Sequence, residues 1–165
     1  MTEILVTLKN LTTQEVVKKK FEGKDEFEAY KAAEEWAKQN KHDIIFFEVL
    51  PSSYIPKEKD SIKILTICGC GVGSSILLGI QIKEMLKKWG VKGEVISADV
   101  TTCKGQSVDV VINQPTWMGA LRGMTSYRRC AVVKNIVDYR EVEEKLRAAL
   151  EDLKIIQPKM QRGLN

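Results

Sequence analysis

Ile67 is followed by Cys68-Gly69-Cys70-Gly71-Val72-Gly73-Ser74-Ser75, a thiol set before three alternating glycines and two hydroxyls. These residue types in this order suit a nucleophilic cysteine inside a phosphate cradle. Glycine has no Cβ, so the backbone can curl through positive φ and bring its N–H groups close to an anion. An apolar stretch of strand character, Ile62 to Cys68, leads into the loop, and helical spacing begins at Ser74. A helix start presents unpaired N–H groups and the positive end of its dipole, both of which favour phosphate. The same field stabilises a thiolate and draws a cysteine pKa below its ordinary value of ~8.5. Cys68 is therefore the expected nucleophile, accepting and handing on a phosphoryl group. Gly69, Cys70, Gly71, Val72, Gly73, Ser74 and Ser75 are the expected phosphate-binding residues.

The spacing argues against three related loops. The glycines alternate as G-x-G-x-G, which is not the dinucleotide fingerprint, and Asp99 is the nearest candidate for that motif's acidic residue. No Gly-Lys-Ser/Thr follows, so the segment is not a P-loop. Cysteine phosphatases place an arginine after five loop residues, and Ser74 stands there instead. Without that guanidinium fork, a trigonal transition state loses equatorial hydrogen bonds and hydrolysis should be slow. A loop that takes a phosphoryl group without hydrolysing it suits a carrier. A weak low-molecular-weight phosphatase-like enzyme remains the alternative chemistry.

Other reactive side chains have plainer roles. Cys70 stands two residues on, and a ring closed by a Cys68–Cys70 disulfide would be tight. A zinc site would need Cys68, Cys70, Cys103 and Cys130 to converge, but Cys130 is expected at the start of the fourth strand of the second unit, at the opposite edge. No metal or cofactor is expected. His42, the single histidine, falls in an Asn40-Lys41-His42-Asp43 turn and reads as a surface residue. Asp99, Thr101 and Thr102 follow one strand, and Asn113, Gln114 and Thr116 another; all should border the Cys68 loop, chiefly as loop caps. Trp117 and Met118 read equally well as docking or core residues. Arg122, Arg128 and Arg129 read as surface charge.

The elements that must position this loop come in two groups. Residues 1–50 read as a small α+β unit of order β-β-α-β. Its strands run from Ile4 to Lys9, from Val16 to Phe21 and from Ile44 to Leu50. Asp25, with Glu28 three residues on, starts its helix, and Asn40 ends it. Residues 51–60 hold two prolines, two serines and a charge cluster, and read as a linker. From residue 61 to 157, strands and helices alternate. The strands are Ile62 to Cys68, Glu94 to Ala98, Val108 to Asn113 and Cys130 to Val137. Helices run from Ser74 to Trp89 and from Arg140 to Leu153, with a short one between Pro115 and Met124. Residues 158–165 form a tail. The expected class is α/β: a four-stranded parallel sheet, doubly wound in the flavodoxin/phosphatase manner, preceded by the small unit. In such sheets ligands bind beyond the carboxyl ends of the strands, where Cys68 lies.

Composition narrows the partners. The net charge of +4 over 165 residues is too small an excess to indicate nucleic acid, and Lys18-Lys19-Lys20 reads as a solvated strand face. No apolar run reaches the ~18–20 residues that span a bilayer. The N-terminus lacks a basic region and cleavage site of the secretory kind. A cytoplasmic protein is expected, and four cysteines in that compartment are reactive or buried rather than disulfide-bonded.

Residues 62–154, through Ile64-Leu65-Thr66-Ile67-Cys68-Gly69-Cys70-Gly71-Val72-Gly73-Ser74-Ser75, resemble the IIB component of the bacterial phosphoenolpyruvate-dependent sugar phosphotransferase system. The loop is most similar to the ascorbate/galactitol-type branch, C-G-x-G-x-G-S-S, with a lactose/cellobiose-IIB-like fold. The resemblance implies that Cys68 takes phosphate from a phosphohistidine on a IIA protein. It would then pass it to a sugar held by the membrane component IIC, at the inner face of the membrane. It implies loop N–H contacts from Gly69 to Ser75 and hydroxyl contacts from Ser74 and Ser75. Residues 1–56 fall outside the resemblance and leave a regulatory or interaction module as the other class of function.

Overall fold

A computed structural model describes residues 1–50, 61–68, 72–99, 102–123 and 126–156. Seven strands form one sheet: β1 (Thr2–Asn10), β2 (Val16–Gly23), β3 (His42–Leu50), β4 (Ile62–Cys68), β5 (Gly93–Asp99), β6 (Ser107–Asn113) and β7 (Ser126–Val132). Their spatial order is β2-β1-β3-β7-β6-β4-β5. The free-standing four-stranded parallel sheet expected from sequence is therefore replaced by a larger mixed one. β7, β6, β4 and β5 are parallel neighbours, but β3 joins β7 antiparallel through Phe46↔Ala131 and Phe47↔Cys130. Residues 1–50 thus add strands to the same sheet. The expected linker, 51–60, and the tail, 158–165, lie outside the described residues.

Alternation along the strands feeds two cores. Leu65, Ile67, Val111 and Cys130 face one layer, with Tyr30 and Ala33 of α1 (Glu26–Gln39) and Met118 of the 3-10 helix Pro115–Gly123. Ile64, Val110, Ile112 and Ala131 face the other. There they meet Leu78, Ile82 and Leu86 of α2 (Val72–Lys88) and Val142, Leu146 and Leu150 of α3 (Tyr139–Asp152). β7 starts and stops earlier than expected. The run from Val133 to Val137 is apolar and β-branched at several positions, but it leaves the sheet and leads to the Asp138 cap of α3. The polar-looking Ser126-Tyr127-Arg128-Arg129 forms the strand instead, because its charges pair along the sheet.

Ion pairs tie residues 1–50 to the rest. Arg129 on β7 pairs with Glu48 of β3, and its Nε donates to Asp152 of α3 at 2.8 Å. Lys18 of β2 reaches Asp152 as well, at 2.7 Å. At the other end Lys145 of α3 is buried. It donates to the Val132 carbonyl at 2.6 Å and pairs with Glu141 at 2.8 Å and Asp43 at 3.3 Å. A lysine with three such acceptors keeps its charge satisfied in the interior.

Candidate functional site

Parallel strands bring their carboxyl ends to one edge. There the last residues of β4 and β5, Cys68 and Asp99, are Cα partners, as are the last residues of β6 and β7, Asn113 and Val132. At ~4.8 Å per strand this row is roughly 15 Å long.

After Cys68, residues 69–71 lie outside the described segments, including the site candidates Gly69, Cys70 and Gly71. α2 begins at Val72, two residues before the expected Ser74, so Val72, Gly73, Ser74 and Ser75 form its first turn by backbone. Gly73 is accordingly helical rather than part of the loop. The chain therefore passes from strand end to helix start between Cys68 and Val72. Gly79 helps hold the helix there: a Cβ would stand 3.1 Å from Ser97 Oγ and 3.7 Å from Val95, so glycine lets α2 lie close to β5. The first turn of α2 carries no acidic residue. α1 and α3 differ: Asp25 and Asp138 cap them, accepting from the N–H groups of Glu28 and Glu141, and acids sit in both first turns. The positive end of α2 is thus left without side-chain carboxylates from its own first turn.

The border residues are mostly caps. Asp99 Oδ1 accepts from the Thr102 N–H at 2.8 Å and the Thr102 hydroxyl at 3.1 Å. The Asp99 N–H donates to Thr102 Oγ1 at 3.0 Å. Buried Asn113 donates from Nδ2 to the Trp117 carbonyl at 3.1 Å, and its Oδ1 accepts from the Gln114 N–H at 2.8 Å, fixing the start of the 3-10 helix. Gln114 Nε2 donates to the Lys134 carbonyl at 3.4 Å, and Thr116 is exposed. Thr101 lies outside the described residues. Met118 is fully buried and Trp117 packs against the same core, which decides for core over docking.

The remaining candidates are not brought to the site. Cys103 and Cys130 are completely buried, and burial pushes both thiols up, away from nucleophilic use. Cys130 does not start its strand; it lies two residues from the strand's carboxyl end, opposite Val111 and Phe47. His42 is the first residue of β3 rather than a turn residue. Its ring packs 4.9 Å from Trp36, and Nδ1 lies 2.7 Å from the Asn40 carbonyl, which makes that nitrogen the protonated one. Arg129 is held by carboxylates, and Arg128 lies 3.9 Å from Asp109; neither is free surface charge. The Arg122 side chain is outside the described residues.

One feature of the edge was not drawn from sequence. Ile76, Leu77 and Ile80 of α2 are 52, 57 and 49% exposed, on the face turned away from Leu78 and Ile82. They begin one turn from the helix start that follows Cys68. The signal lay in a helix apolar on both sides over its first turns, which an ordinary amphipathic surface helix is not.

No helix among the described residues is long and apolar enough to cross a membrane. Comparison with curated proteins gave no match. The family model described as PTS system, lactose/cellobiose-specific IIB subunit matches residues 63–148, with Cys68, the start of α2 and the row of strand ends inside it. The match names the lactose/cellobiose class where the loop pattern had pointed to the ascorbate/galactitol branch. Since the matched span exceeds half of the chain, the protein belongs to the IIB family of the sugar phosphotransferase system.

Proposed function

We propose that the protein is a cytoplasmic IIB phosphoryl carrier whose reactive group is Cys68. The observation that carries this is the position of Cys68 inside the matched span, at the carboxyl end of β4 and four residues before the acid-free start of α2. The thiolate sulfur attacks the phosphorus of a IIA phosphohistidine. An S–P bond forms as the N–P bond breaks, and the electron pair returns to the imidazole, which takes up a proton from solvent. A sugar hydroxyl held by the membrane component IIC then attacks. The O–P bond forms, the S–P bond breaks with its pair on sulfur, and the hydroxyl proton leaves to solvent or to a base of that partner. Backbone N–H groups of residues 69–75 and the α2 dipole would hold the phosphoryl oxygens through both steps, with the Ser74 and Ser75 hydroxyls beside them. The exposed Ile76, Leu77 and Ile80 suit burial under whichever protein partner brings its reacting atom to Cys68.

The test is phosphorylation by the general phosphotransferase proteins and a IIA of the lactose/cellobiose class, with the site mapped by mass spectrometry. Wild type should carry one phosphate on Cys68 and Cys68→Ser none. Hydrolysis of an aryl phosphate that disappears in Cys68→Ala would replace the carrier by a phosphatase. Labelling at any residue but Cys68 would refute the assignment.

A further inference from the structure

A carrier must let go of what it holds. The glycine-rich sequence after Cys68 and the acid-free start of α2 favour retention of an anion, and a site with only that property would trap the phosphoryl group. The adjoining strand supplies the opposite influence. Asp99 is the last residue of β5 and the Cα partner of Cys68, one strand spacing of ~4.8 Å away. Its carboxylate is exposed but held at the strand end: Oδ1 accepts two hydrogen bonds from Thr102, and the Asp99 carbonyl accepts from the Cys103 N–H at 3.1 Å. Lys104 lies on the same turn, and the Cys103 thiol there feels both charges, Asp99 ahead of Lys104. A phosphoryl group on sulfur carries a charge of about −1.5 to −2 at neutral pH. A carboxylate on the next strand end repels it and repels the bare thiolate less, because the thiolate has the smaller charge.

We propose that the Asp99 carboxylate sets the transfer potential of the phosphoryl group on Cys68, destabilising the loaded state so that it passes onward. This rests on the carrier function proposed above. Asp99 acts by charge at a distance; it makes and breaks no bond, and the two transfer steps balance without it. Its cap to Thr102 has a second consequence, since it holds the carboxylate at the end of β5. The caps of α1 and α3 are also aspartates, but those side chains occupy their own helix starts, whereas Asp99 stands across the ladder from the reactive residue.

Asp99→Asn separates charge from cap, because an amide oxygen still accepts from the Thr102 N–H. Two measurements use it. The first is the rate at which iodoacetamide alkylates Cys68 at neutral pH, followed on the mapped peptide; removing the charge should raise it severalfold by increasing the thiolate fraction. The second is the equilibrium between Cys68 and a phosphorylated IIA of the lactose/cellobiose class. It should shift toward phospho-Cys68 by roughly tenfold, and the shift should shrink as salt is raised. Asp99→Ala should give a similar shift with a lower melting temperature, since it also loses the cap. Alkylation and equilibrium within twofold of wild type in Asp99→Asn would overturn the proposal. So would a shift indifferent to salt, which would mark a rearranged loop. Faster alkylation in a protein whose wild type takes no phosphate would instead sink the carrier function, and the transfer-potential role with it.

Discussion

β2, β1 and β3 run antiparallel, so their ends alternate between the two edges of the sheet. β7, β6, β4 and β5 run parallel, so four carboxyl ends and the start of α2 meet at one edge. The parallel half can therefore concentrate backbone donors, a helix dipole and the proposed nucleophile Cys68 in one place, and the antiparallel half cannot. Charge use follows the same division. In the antiparallel half Asp43, Glu48 and Lys18 are spent on ion pairs to β7 and α3, while the first turn of α2 is left without an acid. One half supports; the other presents. Substitutions in each half should accordingly move different observables.

The largest stability effect is expected at Phe47. It is fully buried on β3, with Tyr30 at 5.9 Å and Tyr127 at 6.4 Å between ring centroids, and it faces Cys130 across the junction of the two halves. Phe47→Ala should cost about 3–5 kcal/mol in denaturant unfolding. The loss should appear as one transition moved to lower denaturant, because the cores run across the junction. Below that transition, phosphorylation of Cys68 should be unchanged. Two separated transitions would show that the halves are independent units that merely touch.

Arg129 gives a smaller effect and adds a pH signature. It is mostly buried and shared by Glu48 and Asp152, so Arg129→Met leaves two carboxylates facing a thioether. The cost should be about 2 kcal/mol, below that of a fully buried pair because all three groups keep some solvent. Burial alone would push Asp152 up, but hydrogen bonds and charge from Lys18 and Arg129 outweigh it and hold the carboxyl below its ordinary range. The same holds for Glu141: burial is opposed by the Lys134 N–H and by Lys145. Both carboxyls are depressed in the folded state. Their contribution is therefore complete above the unfolded pKa of ~4 and disappears as pH falls through the lower folded values. The melting temperature of wild type should drop on acidification below about pH 4. In Arg129→Met that drop should be shallower, because Asp152 then keeps only Lys18 of the two cations that hold it ionised. An acid limb of unchanged steepness would show that the junction charges are ornamental.

Most elements of the parallel half could be read from periodicity, since its strands alternate with helices and Gly90 follows the end of α2. The Asp25 cap and the Asn40 end of α1 were equally legible, being local chemistry. The junction was not. Nothing in Phe46-Phe47 or Cys130-Ala131 announces that they pair, because strand partners distant in sequence leave no mark on each other's spacing. The start of β7 was missed for a related reason. Arg128 and Arg129 look like a turn until their partners Asp109, Glu48 and Asp152 are brought beside them by the fold. Lys145 was hidden in the same way, a charge inside the apolar stripe of α3 that only Asp43, Glu141 and the Val132 carbonyl explain. At the candidate site, residue types singled out Cys68 for the proposed role and foretold the Asp99–Thr102 and Asn113 caps that border it. The exposed face of α2 went unread because an apolar residue on a helix is first assigned to the core.

That face offers the smallest stability change and the sharpest contrast with Phe47. Leu77 is 57% exposed beside Ile76, so Leu77→Lys removes little buried area and should alter stability by less than about 0.5 kcal/mol. A partner that closes over Cys68 would have to bury the new ammonium or leave a gap around it. Its affinity should fall by roughly tenfold, mainly through faster dissociation. Phosphoryl transfer from a IIA protein should then show a raised half-saturation concentration with the same maximal rate, since Cys68 and its loop are untouched. Phe47→Ala should produce the reverse pattern, unfolding more easily while the half-saturation concentration stays put. If Leu77→Lys instead lowers the melting temperature and leaves partner binding alone, the division between a supporting half and a presenting half fails at its most exposed point. Ile76, Leu77 and Ile80 would then belong to the fold rather than to the transfer.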